Sequence, residues 1–354
     1  MNWLYTLGLL SNTPNLEYSS SSYSIKEPVL AWRKDVTPNQ DNATNIENSA
    51  PVLWKDEVFI GLSNQAGVHY YSRFSGEKLG RLEAKGTVQH RPTVSGDLLI
   101  ASDISGVVYA WDLNSKELQW TVELNSPINT EIEVSGTQLV VATNSDVIYS
   151  LSNTGEVLWR FAHRADPSRK RNLQLFGAGH PLIREQDVVV GFSDGAVLYL
   201  NREDGTVLSK TWYGTGRYPD VIAQPTDVQG DILLSGFESP TWKEVNSSMS
   251  WEQKIGGTHS LVSLPEQNGV MVLHPGGDGI LRLIDSTSGA VQWSWDSETS
   301  SALTEPQITD AGILVASSTG GLWLIDPKTG KENWSYQTDY QFSGTMHAPL
   351  VADG

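Results

Sequence analysis

The chain has 354 residues, a formal charge of −17 from 24 basic and 41 acidic side chains, and no cysteine. That charge argues against nucleic acid and anionic lipid surfaces as partners, and the missing thiols exclude disulfides, thiolate catalysis and cysteine-ligated metal centres. Abundant Gly (32) and Trp (13) beside only 18% charged residues suit many short strands joined by tight turns, not disorder.

At the N-terminus, Trp3-Leu4-Tyr5-Thr6-Leu7-Gly8-Leu9-Leu10 is apolar but far short of the roughly 20 residues that span a bilayer. No Lys or Arg precedes it, so it reads as a degenerate secretory signal, followed by a serine-rich tether at 19–24. Residues 1–27 are therefore set apart from a single domain over 28–354. Val29-Leu30-Ala31-Trp32-Arg33 looks like the fourth strand of a repeat unit, without the three strands that should precede it.

From about residue 49 the chain repeats. Each unit opens with a short strand led by Pro or a polar residue, as at Pro51, Pro92, Pro181, Pro225 and Pro306. A continuous apolar run follows (Leu98-Leu99-Ile100, Val188-Val189-Val190, Ile313-Leu314-Val315), the pattern of strands buried on both faces. An alternating run then leads through a polar turn to a tryptophan: from Gly106 to Trp120, Asp146 to Trp159, Gly279 to Trp293 and Gly321 to Trp334. Trp120 and Trp159 are 39 apart and Trp293 and Trp334 are 41 apart, the period of propeller blades. Degenerate copies carry Gly80 or Ser209 where Trp should stand, and the copy ending at Trp251 has lost its glycines.

The predicted fold is all-β, a β-propeller of four-stranded blades. One blade cannot bury both of its faces, and radial stacking against neighbours does so. Seven units are counted, and Pro349-Leu350-Val351 begins another. With the 29–33 strand closing the ring, this predicts eight blades, the last incomplete at the C-terminus by about two strands.

Sites for chemistry are sparse. The seven histidines show no metal-ligand spacing, Gly276-Gly277-Asp278-Gly279 precedes a strand and so is a hairpin and not a phosphate cradle, and no Gly-x-Ser-x-Gly elbow exists. Asp112, Asp285 and Asp326 recur at one repeat position, which marks a turn residue bonding its own backbone. No catalytic residue, metal ligand or cofactor site is predicted.

One segment breaks the period. Between Trp159 and Pro181 the chain inserts a loop with Arg164, Arg169, Lys170 and Arg171, followed by Leu173-Gln174-Leu175-Phe176-Gly177. A basic loop ending in apolar residues on an acidic protein suits protein contact, and insertions in repeat folds gather on one rim. The next connection, Tyr213 to Val221 with Arg217 and Asp220, is also long and aromatic, and should emerge from the same face.

The repeat resembles the pyrroloquinoline-quinone-type propeller repeat, whose Gly…Asp-x-x-Thr-Gly-x-x-x-Trp pattern runs from Gly321 to Trp334, and within it the BamB family of outer-membrane protein assembly factors. The resemblance covers about residues 28–354. The long loop falls between the third and fourth units, where the family carries a Leu-x-Leu-Arg-Gly run that docks on the subunit BamA. Leu173, Leu175 and Gly177 match it, with Phe176 in place of the arginine. The family's Asp-Val-Asp in the next connection reads Asp220-Val221-Ile222. Asn12 stands where a lipid-bearing cysteine would.

The resemblance implies a monomeric, non-enzymatic scaffold in the periplasm, associated with the outer membrane of a Gram-negative bacterium. It would contact BamA-type periplasmic domains through Leu173, Leu175, Phe176, Arg217 and Asp220. The alternatives are a quinoprotein dehydrogenase, whose family members typically use a vicinal cysteine pair and a calcium site, and a sensor or adhesion propeller of a larger protein.

Overall fold

The computed structural model describes residues 3–8, 29–35, 49–128, 130–165, 177–213, 218–236, 241–245, 248–257, 259–266, 269–317, 319–337 and 348–351. Every regular element among them is a strand. Seven four-stranded antiparallel sheets follow one another along the chain, at 52–87, 93–123, 133–162, 182–212, 226–253, 262–296 and 307–337. In each, four consecutive strands pair in sequence order. These are blades 1 to 7 of a propeller.

The core lies in the seams between blades. Along the second strand of blade 3, Val140 and Ala142 join a cluster with Val188, Val190 and Phe192 of blade 4. The alternate residues Leu139 and Val141 pack with Ile100 and Val108 of blade 2. A strand with period-2 side chains and a neighbour on both faces needs apolar residues at every position, hence the unbroken apolar runs.

Tryptophan closes most seams by one repeated contact. The indoles of Trp32, Trp120, Trp159, Trp251 and Trp293 donate to the turn carbonyls of Arg73, Asn153, Arg202, Ser286 and Pro327 in the following blade, at 2.8–3.0 Å. Beneath each ring sits a left-handed turn glycine: Gly76, Gly155, Gly205, Gly289 and Gly330, at φ +66° to +86°. A Cβ on any of them would fall 2.5–2.8 Å from a ring carbon. Glycine is required there for both conformation and space. The recurring aspartates do cap these turns: Asp112 accepts from the amides of Asn114 and Ser115, and Asp285 and Asp326 do the same in blades 6 and 7. Those amide bonds hold all three carboxyls below the usual carboxylate range.

Two seams lack the wedge. Gly80 of blade 1 faces Tyr70 across the strand pair, and Ser209 of blade 4 faces Tyr199, so the aromatic ring sits on the third strand instead of the fourth. At the first of these, Lys116 occupies the glycine position of the blade 2 turn at φ +64°. Its ammonium lies 4.9–5.1 Å from the ring centres of Phe59, Trp54 and Tyr70, and pairs with Glu57. At the second, Arg184 stands 5.7 Å from the Tyr199 ring and Glu244 bonds to Tyr199.

A second repeated feature is a bulge in every outer strand. The register slips by one residue just before the wedge position, leaving Leu79, Gln119, Leu158, Leu208, Ser250, Gln292 and Asn333 unpaired and exposed.

The N-terminal segment differs from expectation in one respect. Trp3–Gly8, read as part of a signal or tether, pairs antiparallel with Val29–Asp35 as a two-stranded sheet. A short run of Trp, Leu, Tyr and Thr has strand propensity as well as signal-like hydropathy. Trp32 docks on the turn of blade 1 as the wedge tryptophans do elsewhere, which gives Val29–Asp35 the place of a fourth strand ahead of blade 1.

Candidate docking site at blade 4

In an up-and-down blade, the hairpin between the second and third strands and the connection to the next blade leave from the same end. The two unusual connections, 163–181 and 213–225, therefore share a rim with the 192–196 hairpin of blade 4, and both are tied to it. On the incoming side, His163 lies in the seam with its Nε2 2.9 Å from Asp194 Oδ2 and its ring 4.2 Å from that of Phe192. Further along, Ser193 Oγ donates to the Gly177 carbonyl, Ala178 forms a bridge with Phe192, and the Gly179 amide bonds to Gly191. On the outgoing side, the Tyr213 amide donates to Gly195 and the Val221 amide to Phe192. The connections also touch each other, through the His180 amide and the Ile222 carbonyl. Gly179 and Gly191 permit this closeness, since a Cβ on either would come within 2.5 Å of the Val221 carbonyl oxygen.

Of the residues expected to contact a partner, Leu173, Leu175, Phe176 and Arg217 lie outside the described residues. Asp220 lies within them and is fully buried, with neither carboxylate oxygen hydrogen-bonded among the described residues. It was expected at the surface, and the reason it is not is its neighbour. Val221 is a core residue of the seam between blades 4 and 5, and it draws this stretch of backbone inward. Arg164, at the root of the basic loop, is exposed.

A second polar cluster escaped the sequence reading. Residues at or just ahead of the first strands of several blades come together: Arg91 reaches to 3.9 Å of Glu131, and Glu133 accepts from Gln224 and approaches His180 at 3.4 Å. Burial raises the carboxyl pKa of Glu305, which feels the charges of Arg91, Glu131 and His180. Superposing the units on their Pro positions would have aligned most of these residues, but not revealed that they meet. Among the described residues, no three His, Asp or Glu side chains come together as a metal ligand set.

Seven sequential four-stranded antiparallel blades define a β-propeller. The sequence profile of the family described as outer membrane protein assembly factor BamB matches residues 64–294 and 277–354, and the chain belongs to that family. Among curated relatives, BamB of Salmonella typhimurium is 25% identical over 159 residues, 44% of this chain and 36% of that protein. BamB of Burkholderia pseudomallei is 24% identical over 191 residues, 54% and 49%, and BamB of Legionella pneumophila 22% over 281 residues, 66% and 71%. The chain thus spans about a third to a half of the first two relatives' length. Among solved structures, BamB from Moraxella catarrhalis superposes with a TM-score of 0.70 at 19% identity, over 89% of this chain and 94% of that one.

Proposed function

We propose that this chain is a non-enzymatic assembly factor for outer-membrane β-barrel proteins, acting as a monomeric scaffold in the periplasm. It docks on the periplasmic domains of a BamA-type subunit through the 163–177 and 213–222 connections. The observation that carries this reading is the anchoring of both connections on one hairpin of blade 4, in a chain of the BamB family. A shared anchor fixes the described ends of the two connections relative to each other, which lowers the ordering cost of a partner that meets both. Leu173, Leu175 and Phe176 supply the apolar contact and Arg217 a cation, while Asp220 is buried at the end of the second connection.

The test is the double substitution Leu173→Ser and Leu175→Ser. Capture of BamA-type periplasmic domains is lost while the circular-dichroism spectrum stays that of the native protein. Undiminished capture would sink the docking assignment.

A further inference from the structure

We propose that His163 and Asp194 form a positioning pair, which seats the root of the 163–177 connection on the blade that launches the next connection, so that one partner meets both. The inference rests on the docking reading above and adds to it the device that sets the geometry.

The pair stands out against its equivalents. The residue directly after the outermost strand is Val88 in blade 1, Leu124 in blade 2 and Tyr213 in blade 4, all buried in the seam to the following blade. Blade 5 carries the exposed Lys254 at this position and blade 6 the buried Ser297, whose hydroxyl bonds within its own connection to Thr299. Blade 3 places His163 there instead, with its side chain 2% exposed against Asp194 at 1%. A buried polar pair costs desolvation that a hydrophobe would avoid, and what it gives in exchange is a fixed direction.

The acceptor is fixed from both sides. Asp194 Oδ1 takes the Ala196 amide at 3.2 Å within its own turn, while Oδ2 faces His163 Nε2. The His163 backbone amide meanwhile donates to the Asp146 carbonyl of blade 3. His163 therefore bridges two blade hairpins at the point where the basic loop begins.

Blade 2 has the same arrangement without the side-chain donor. There Asp103 holds the end of the outer strand of blade 1, just ahead of the connection, by the backbone amide of Gly86 at 2.9 Å, and also accepts from the Tyr109 hydroxyl. A backbone donor holds any sequence. A side-chain donor at the root of the one connection that carries the Leu-x-Leu run makes its seating depend on a single residue.

The experiment compares His163→Phe, which keeps a ring against Phe192 but loses the bond to Asp194, with His163→Gln, which retains an N–H donor. Affinity for purified BamA-type periplasmic domains is measured beside the thermal midpoint, with the Leu173/Leu175 double variant as reference. Loss of one bond to a charged acceptor predicts about tenfold weaker binding for H163F, with H163Q within about threefold of the native protein. H163L, bearing the residue found at Leu124, replaces H163F should the latter not fold.

If H163F (or H163L in its place) binds like the native protein while the Leu173/Leu175 double variant does not, the pair is a packing feature only and the proposal falls, with docking intact. If H163Q is as weak as H163F, the bond to Asp194 is not what matters, and the proposal falls equally. Native binding by the Leu173/Leu175 double variant removes the docking reading itself.

Discussion

Compare the seam between blades 3 and 4 with that between blades 1 and 2. In the first, Trp159 is 7% exposed, lies over Gly205 and gives its indole proton to Arg202, so that shape and one neutral bond close the joint. In the second, glycine and tryptophan have both gone. Gly80 stands at the wedge position, Tyr70 faces it from the third strand, and Lys116 fills the turn with its charge held among three rings and Glu57. The two losses compensate: with no indole above the turn, a side chain is tolerated there, and that side chain can be a cation. The difference teaches that this fold needs an aromatic surface in each seam but not on a particular strand, and that a packed closure can be exchanged for an electrostatic one.

The sharpest way to break that comparison is Trp159→Ala. Removing a buried indole should cost about 3–5 kcal/mol of unfolding free energy in denaturant titration, with little dependence on salt. A loss below about 1 kcal/mol would mean that the wedge does not close its seam.

Next comes Lys116→Met, which keeps length and apolar contact but leaves Glu57 without its cation. The expected loss is about 1 kcal/mol at low ionic strength, shrinking as salt is raised toward 1 M. A loss insensitive to salt would place Lys116 with Trp159, as packing.

The smallest effect belongs to the other wedge-free seam, at Glu244. Burial raises its pKa, opposed by the Tyr199 bond and Arg184. An acid with a raised folded pKa contributes its full stability below the ordinary carboxyl value of 4.5, and loses it as pH climbs through the raised value. Glu244→Gln should therefore match the native protein near pH 4 and exceed it at pH 8. A variant less stable than native at pH 8 contradicts this.

Much of the architecture was legible because it repeats. Trp120, Trp159, Trp293 and Trp334 with their turn glycines announce blades, and seven tallied units became seven four-stranded sheets. Gly80 and Ser209 were visible as gaps, but not how they are filled. Tyr70 and Tyr199 replace the wedge from across a strand pair, a relation that spacing along one strand does not display. Likewise His163 and Asp194 are 31 residues apart in different blades and share no motif. The long connections were readable as insertions, because an interrupted period needs no structure to be noticed. Their common anchor on the 192–196 hairpin was not, because it joins residues far apart in sequence, partly through backbone bonds to Gly195 and Phe192 that composition cannot encode.

The slipped residue in every outer strand bears on solubility. Seven blades expose seven outer strands, each with a row of free amides and carbonyls able to recruit an edge from another molecule. Displacing one residue from the ladder in each of them, at Leu79 through Asn333, twists that row and breaks its regular hydrogen-bonding pitch. A chain whose every regular element among the described residues is a strand thus carries, once per blade, its own obstacle to fibril-like stacking.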